Sequence, residues 1–303
     1  MRICSLLPSA TEIAFALGLG DEVVAVTHEC DYPPEARQRR VVVKSAVDSA
    51  ADSAAIDRAV RERVQAGRGL YALDHQGFRA AQPDFIITQD LCEVCALDLS
   101  EVERAADALP HKPKIVSLAP STLGDVLDDI ARVGAAAGRE AAAGALVSDL
   151  RARIERVREL TSRSDTRPRV ACVEWIEPIY PAGHWVPEMV EIAGGIDGLG
   201  RKGAPAKPVP WENALRAYAP EVVVLMPCGF GLERAAAEAP ALARLAGWRD
   251  LPAVKAGRVF AVNGSAYFNR PGPRLVDGVE ILAALIHPEI FPPAASGAAR
   301  RLA

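Results

Sequence analysis

The sequence predicts an α/β protein of two lobes with mostly parallel sheets, joined by a long spine helix. Three observations lead there. Short apolar runs alternate with helical patterns in residues 1–122 and again in 166–290, and such alternation builds parallel sheets covered by helices. Between the two stretches lies a long helical pattern over 123–161. A strand-to-helix switch is also written twice, as Ile3-Cys4-Ser5-Leu6-Leu7-Pro8-Ser9 and as Ile115-Val116-Ser117-Leu118-Ala119-Pro120-Ser121. In open α/β sheets ligands gather where strands end and helices begin, because the first helical N–H groups are unbonded there. Each lobe is therefore expected to be Rossmann-like.

In the first lobe, residues 1–122, a strand over 3–7 feeds a helix over 11–19 that Gly18 and Gly20 stop, and a strand covers 22–27. Ser9 is expected to cap that helix, with Glu12 three residues on as its capping-box partner. A polar stretch follows, then a helix near 56–66 and strands over 84–88 and 114–118. Residues 123–165 form the helical connection, expected to break near Gly134 and Gly138. Within it Leu146, Leu150, Ile154, Val157 and Leu160 recur three or four apart, one apolar stripe on a charged helix. From 139 to 162 that helix would span roughly 36 Å at about 1.5 Å per residue, long enough for a rigid spine. The second lobe, 166–290, reads as a strand over 169–174, helices over 186–193 and 211–218, strands over 221–226 and 258–262, and a closing helix over 274–286. Gly194-Gly195 and residues 198–210 are expected to form a mobile loop, and the Pro- and Ala-rich tail 291–303 to fray.

Composition excludes several classes. At 303 residues, with 50% hydrophobic residues and a formal charge of −4, the chain reads as an ordinary soluble protein, expected to be monomeric. A mildly acidic balance without a Lys/Arg cluster argues against a nucleic-acid partner, and no apolar run is long enough to embed the chain in a membrane. No charged segment, apolar core and cleavage site precede the first strand, so a cytoplasmic location is expected, or a periplasmic or cell-surface one if a leader has been trimmed. There is no Gly-x-Ser-x-Gly turn, Walker loop or His-Glu-x-x-His helix, so no enzyme is expected. Gly18-Leu19-Gly20 ends a helix and so is no dinucleotide fingerprint.

Six cysteines in a chain of this size are not a disulfide scaffold. Cys4 and Cys172 sit inside apolar strands and are expected in the core. His28 and Cys30 directly follow one strand, and Cys92 and Cys95 another. Together these four N/S donors suit a zinc-sized ion in tetrahedral geometry. A thiol-redox pair, a disulfide or buried thiols are the competing readings of Cys92 and Cys95. His184 and Cys228 lie on second-lobe loops from which they could reach a ligand, whereas His75, His111 and His287 lack a companion donor.

Ser5-Leu6-Leu7-Pro8-Ser9-Ala10-Thr11-Glu12, Asp31-Tyr32-Pro33-Pro34 and Pro83-Asp84-Phe85-Ile86-Ile87, followed by Pro178-Ile179-Tyr180-Pro181-Ala182-Gly183, Val209-Pro210-Trp211 and Tyr267-Phe268-Asn269-Arg270, carry a resemblance. In type and order these segments resemble the helical-backbone (class III) solute-binding proteins of ABC importers, with the nearest likeness to the cobalamin-binding members, over nearly the whole chain. The resemblance implies a small-molecule ligand held in a cleft between two lobes, cobalamin, a related corrinoid or another metal chelate, either for uptake with an ABC importer permease as partner or for intracellular handling. It nominates Pro8 and Tyr32 from the first lobe and Tyr180, Trp211, Tyr267 and Arg270 from the second. Aromatic faces would bury ring area and arginine would bond amide oxygens at a macrocycle's rim; Tyr180 and Trp211 can equally be packing residues. Gln89 stands where those members carry a tryptophan, Ala46 lacks a cleft aromatic, and Ala266 replaces an acid. Less aromatic area is expected to weaken binding of intact cobalamin or to favour a smaller corrinoid. The alternative function is a cytosolic metal-binding or thiol-redox protein using His28, Cys30, Cys92 and Cys95.

Overall fold

A computed structural model describes residues 1–90 and 97–302. Two units each hold a sheet. The first comprises Met1–Ala51, Ala55–Pro120 and Gly124–Ser148; the second comprises Asp52–Ala54, Ser121–Leu123 and Asp149–Ala303.

The first unit contains β1 (Ile3–Ser5), β2 (Val23–Thr27), β3 (Arg40–Ser45), β4 (Tyr71–Leu73), β5 (Phe85–Gln89) and β6 (Lys114–Leu118), ordered β4-β3-β2-β1-β5-β6. All pairings are parallel except β3 with β4. The chain starts in the middle with β1, proceeds to one side through β2, β3 and β4, then returns to the other side with β5 and β6, so the strand order reverses at β1/β5. β1, β2 and β5 are almost wholly buried, as parallel strands covered on both faces must be. One face packs Cys4, Ala25, Val42 and Ile86 against Phe78 and Val102 from the helices His75–Ala81 and Leu99–Asp107.

The second unit contains β7 (Arg169–Trp175), β8 (Tyr180–Pro181), β9 (Ile196–Asp197), β10 (Val222–Leu225), β11 (Val259–Val262) and β12 (Ala299–Arg301). Their order is β12-β11-β10-β7-β8, with β9 also on β7. β7, β10 and β11 run parallel and bury Ala171, Val173, Val223, Leu225 and Val259 in one core with Leu215 and Trp248. The tail does not fray as expected: Ala299–Arg301 pairs antiparallel with β11, and the Leu302 N–H bonds the Val259 carbonyl at 2.8 Å. Residues 198–210 are likewise tied down. The N–H groups of Leu199 and Gly200 bond the Asp197 carboxylate, His184 N–H bonds Ala204 O, and Val209 N–H bonds Ile179 O. Gly183 permits this close approach, since a Cβ there would stand 2.5 Å from the Ala204 carbonyl oxygen.

The spine is the 22-residue helix Glu140–Thr161, about 33 Å long at 1.5 Å per residue. It begins in the first unit and ends in the second. Leu150, Ile154 and Val157 of its apolar stripe are buried. Of the two expected break points only Gly138 is one: its φ of +67° suits the left-handed turn after the helix Leu123–Ala136. Gly134 stays inside that helix, where a Cβ would stand 2.3 Å from the Cβ of Ala143.

The expected cap is also corrected. The first helix, Pro8–Ala16, opens on Pro8, which fits the first helical position because it lacks the N–H that would go unbonded. Leu7 is the cap residue and no side chain bonds the helix start. Ser9 therefore lies inside the helix, 1% exposed, with its hydroxyl unpartnered among the described residues. Among the described residues no helix is long and apolar enough to cross a membrane.

Candidate functional site

In the first lobe, three neighbouring strands deliver their carboxyl ends together. β1 leads to Pro8, β2 leads to the segment holding His28, Cys30 and Tyr32, and β5 ends at Gln89. These strands flank the β1/β5 reversal, the position at which open α/β sheets accept ligands. Tyr32 is 45% exposed and offers its ring, Pro8 is half-buried, and Gln89 is only 7% exposed at the strand end.

His28 and Cys30 turn to different surroundings. The His28 ring is exposed, with Nδ1 3.2 Å from the Val43 carbonyl oxygen on β3. Cys30 is buried at 4% exposure, with its Sγ 3.1 Å from the Thr11 hydroxyl oxygen and accepting from Thr27 N–H at 3.4 Å. Thr11 in turn donates to Ser5 Oγ at 2.8 Å, so this thiol is built into a buried polar cluster beneath the strand ends. Among the described residues no three His, Cys, Asp or Glu side chains gather to hold a metal ion. Cys92 and Cys95 lie outside the described residues. Cys4 and Cys172 are core residues as expected, and burial pushes both thiols far above their ordinary range.

In the second lobe the corresponding edge is formed by the ends of β7, β10 and β11. The loops there are bonded to one another: Cys228 N–H to Glu174 O at 3.0 Å, Ser265 N–H to Phe230 O at 3.1 Å, and Asn269 Nδ2 to Met226 O at 3.3 Å. Tyr180 stands opposite Trp175 at the carboxyl end of β7, half-buried. Tyr267 and Arg270 follow β11, both half-buried, with the Arg274 guanidinium 5.7 Å from the Tyr267 ring centroid. Cys228 is exposed on the loop after β10.

Two nominated residues are engaged elsewhere. β8 runs antiparallel to β7, so from Tyr180 the chain returns along it, and Ala182 N–H already bonds Cys172 O. His184 comes three residues after β8. It has φ +52°, stacks on Trp185 at 5.4 Å, and burial holds its imidazole below the usual histidine range. Trp211 opens a π-helical segment, Trp211–Arg216, where a uniform α-helix was expected. Its indole N–H donates to Ala246 O at 2.8 Å and its ring meets Trp248 at 5.9 Å, which makes it a packing residue on one face.

Sequence reasoning passed over Trp175, Phe230 and Arg234. Trp175 meets Phe230 edge-on at 5.5 Å and 64°, and the Arg234 guanidinium lies 3.6 Å from the Phe230 ring centroid. The available signal was position, since Trp175 ends a strand and Phe230 follows one by a few residues.

Residues 71–266 match the model of a family described as periplasmic binding protein. An uncharacterized ABC transporter substrate-binding lipoprotein of Bacillus subtilis (strain 168) is 27% identical over 299 residues, covering 96% of this chain and 81% of its own length. The vitamin B12-binding protein of Vibrio cholerae is 26% identical over 293 residues, covering 92% of this chain and 86% of its own length. The solved periplasmic heme-binding protein from Roseiflexus sp. RS-1, in apo form, shares the fold with a TM-score of 0.71 at 24% identity, over 95% of this chain and 98% of that one.

Proposed function

The chain belongs to the periplasmic binding protein family, whose members are solute-binding proteins and not enzymes, and we propose that its ligand is a metal-bearing macrocycle of the corrinoid and haem class. The observation that carries this reading is the convergence, at the carboxyl ends of neighbouring parallel strands in each lobe, of side chains suited to a flat, partly apolar ligand. Tyr32 brings an exposed ring after β2; Tyr180 and Tyr267 bring half-buried rings beside β7 and after β11; Arg270 adds a rim donor. Aromatic faces bury ring area without needing directional bonds, whereas a guanidinium fixes orientation at the macrocycle's polar edge. The full-length likeness to a vitamin B12-binding protein supports the same class. In this reading the protein hands its ligand to an ABC importer permease.

Absorbance titration of the purified chain with cyanocobalamin, dicyanocobinamide and haemin tests it. At least one chelate should shift its visible bands and saturate at one equivalent, and Tyr180→Ala should weaken that binding by about tenfold, the loss of one aromatic contact of about 1–1.5 kcal/mol. No saturable shift with any of the three would overturn the proposal.

A further inference from the structure

We infer that Gln89 is a specificity-determining residue of the first lobe: its side-chain carboxamide pairs with a carboxamide on the ligand, so that the macrocycle's rim is neutral and amide-bearing where it meets this lobe. This rests on the proposed function and narrows it.

Glutamine is a surface residue in most folded proteins. Gln89 is only 7% exposed, yet its side-chain amide makes no hydrogen bond among the described residues. Register gives the reason. β5 pairs Gln89 with Leu118 of β6, and continuing the Ser5–Ile87 pairing of β1 by two residues brings it to Leu7, just before Pro8. Both leucines are buried and neither side chain can bond an amide. Alternation puts Gln89 on the face of Ile87 and Ser5, the face that the helix Pro8–Ala16 covers, since Thr11 of that helix bonds Ser5 Oγ at 2.8 Å. A primary amide carries two N–H donors and a carbonyl acceptor, and burying it unbonded opposes folding.

Position separates this group from other unpartnered ones. The hydroxyls of Ser9 and Thr88 also lack partners among the described residues, but at 1% and 0% exposure they are closed to a ligand. Gln89 instead ends its strand at the β1/β5 reversal, beside Pro8, where an open α/β sheet accepts ligands. Local rules broken without an internal compensation are expected at functional sites.

The surrounding charge selects a neutral partner for it. The described loops that follow β1, β2, β5 and β6 are residues 6–7, 28–33, 90 with 97–98, and 119–122. They contain four acids, Glu29, Asp31, Asp90 and Asp98, and no lysine or arginine; His28 is their one other ionisable side chain besides Cys30 and Tyr32. The next cation along the chain, Arg37, is bonded to Asp31 O at 3.3 Å. Further along the sheet, residues 44–70 between β3 and β4 are near balance, with four acids, four arginines and one lysine. A carboxylate brought to Gln89 would meet this acidic edge and set an oxygen against Oε1. A carboxamide satisfies both ends, its N–H donating to Oε1 and its carbonyl accepting from Nε2.

The test titrates the full chain with dicyanocobinamide, whose rim carries amides, with dicyanocobyrinic acid, whose rim carries carboxylates, and with haemin. Dicyanocobinamide should bind about tenfold or more tighter than the acid, because a site built to hydrogen-bond one group rejects the analogue that cannot complete the pairing. Gln89→Met keeps the length of the side chain and removes its amide; it should weaken dicyanocobinamide by about tenfold, the loss of two neutral hydrogen bonds, and bring the two corrinoids within about threefold of each other. Gln89→Glu has the same shape without the donor, should weaken dicyanocobinamide by a similar factor, and carries the test should the methionine variant not fold. An acid that binds the wild type as tightly as the amide overturns the inference. So does a substitution that weakens both corrinoids equally or neither, since Gln89 would then be a packing residue. Haemin binding with no corrinoid binding overturns the inference and leaves the macrocycle reading intact; if none of the three binds, both fall.

Discussion

Replacing Gly134 by alanine sets two effects of one methyl group against each other. Gly134 lies within the helix Leu123–Ala136, where glycine costs about 0.8–1.0 kcal/mol relative to alanine. The added Cβ, however, would stand 2.3 Å from the Cβ of Ala143 and 3.2 Å from the Arg139 carbonyl oxygen. Apolar carbons rest about 3.5–4.0 Å apart, so this helix and the start of Glu140–Thr161 would have to part by roughly 1 Å or more. Overpacking on this scale costs about 1–3 kcal/mol, and after the propensity gain the net expectation is a destabilisation of up to about 2 kcal/mol. Gly144→Ala is the internal control. That glycine sits in the second helix of the same pair with no atom within 4 Å of the added Cβ, so only the propensity gain of about 0.8–1.0 kcal/mol remains. The same substitution should therefore shift stability in opposite directions at the two sites. Urea unfolding followed by far-ultraviolet circular dichroism reads both midpoints and slopes. A Gly134→Ala protein as stable as Gly144→Ala would refute the close helix approach.

Three further expectations follow from the site and its supports. Trp211→Ala should lower stability by about 1–3 kcal/mol, less than the loss of a fully buried tryptophan, whereas Trp211→Phe should recover much of it; denaturant midpoints decide, and an unchanged midpoint would return Trp211 to the list of ligand contacts. In a Cys92→Ser/Cys95→Ser background, Cys228 should react rapidly with an aromatic disulfide reagent while Cys4, Cys30 and Cys172 wait for unfolding. A fast phase surviving Cys228→Ser would contradict the burial of Cys30. Burial, followed by the charge of Asp197, pushes the Tyr218 phenol from 10.0 up to about 12. The folded state then holds a proton that the unfolded state releases near pH 10, so stability should fall as pH rises from about 10 to about 12, and Tyr218→Phe should flatten that decline. An equal slope in both proteins would show that the phenol titrates normally.

How much of the architecture was legible depended on how locally each element is encoded. β6 matches the expected strand over 114–118 residue for residue, because Ile115, Val116 and Leu118 form a short apolar run bounded by Pro113 and by Ala119-Pro120. β3 was missed because only Val42 and Val43 of its six residues are buried, and arginine and lysine flank them. β12 was missed for a different reason: Ala-Arg-Arg has no strand signature, and its existence depends on the free edge of β11, some forty residues earlier. The first helix was foreseen but its start was not, since Ser-x-x-Glu obeys the capping-box pattern and only the backbone shows that Pro8 already occupies the first helical position.

The candidate site divides along the same line. Strand-end placement of Pro8, Tyr32, Tyr180 and Arg270 followed from sequence order, because a parallel sheet sends every strand's carboxyl end to one edge. What each side chain does there did not follow. Cys30 reads as a surface donor yet its sulfur is turned into a cluster with Thr11, nineteen residues away, and Trp211 reads as a ligand contact yet bonds Ala246, thirty-five residues on. His184 reads as a loop residue able to reach a ligand, yet it is half-buried with its ring stacked on Trp185. By itself the sequence determined the α/β class, the two lobes, the spine and the strand ends, since hydrophobic period and chain order are properties of neighbours along the chain. Only the tertiary structure decided which donors are already satisfied and that Phe230 carries Arg234, because hydrogen bonds and ring contacts are settled by groups that meet in space.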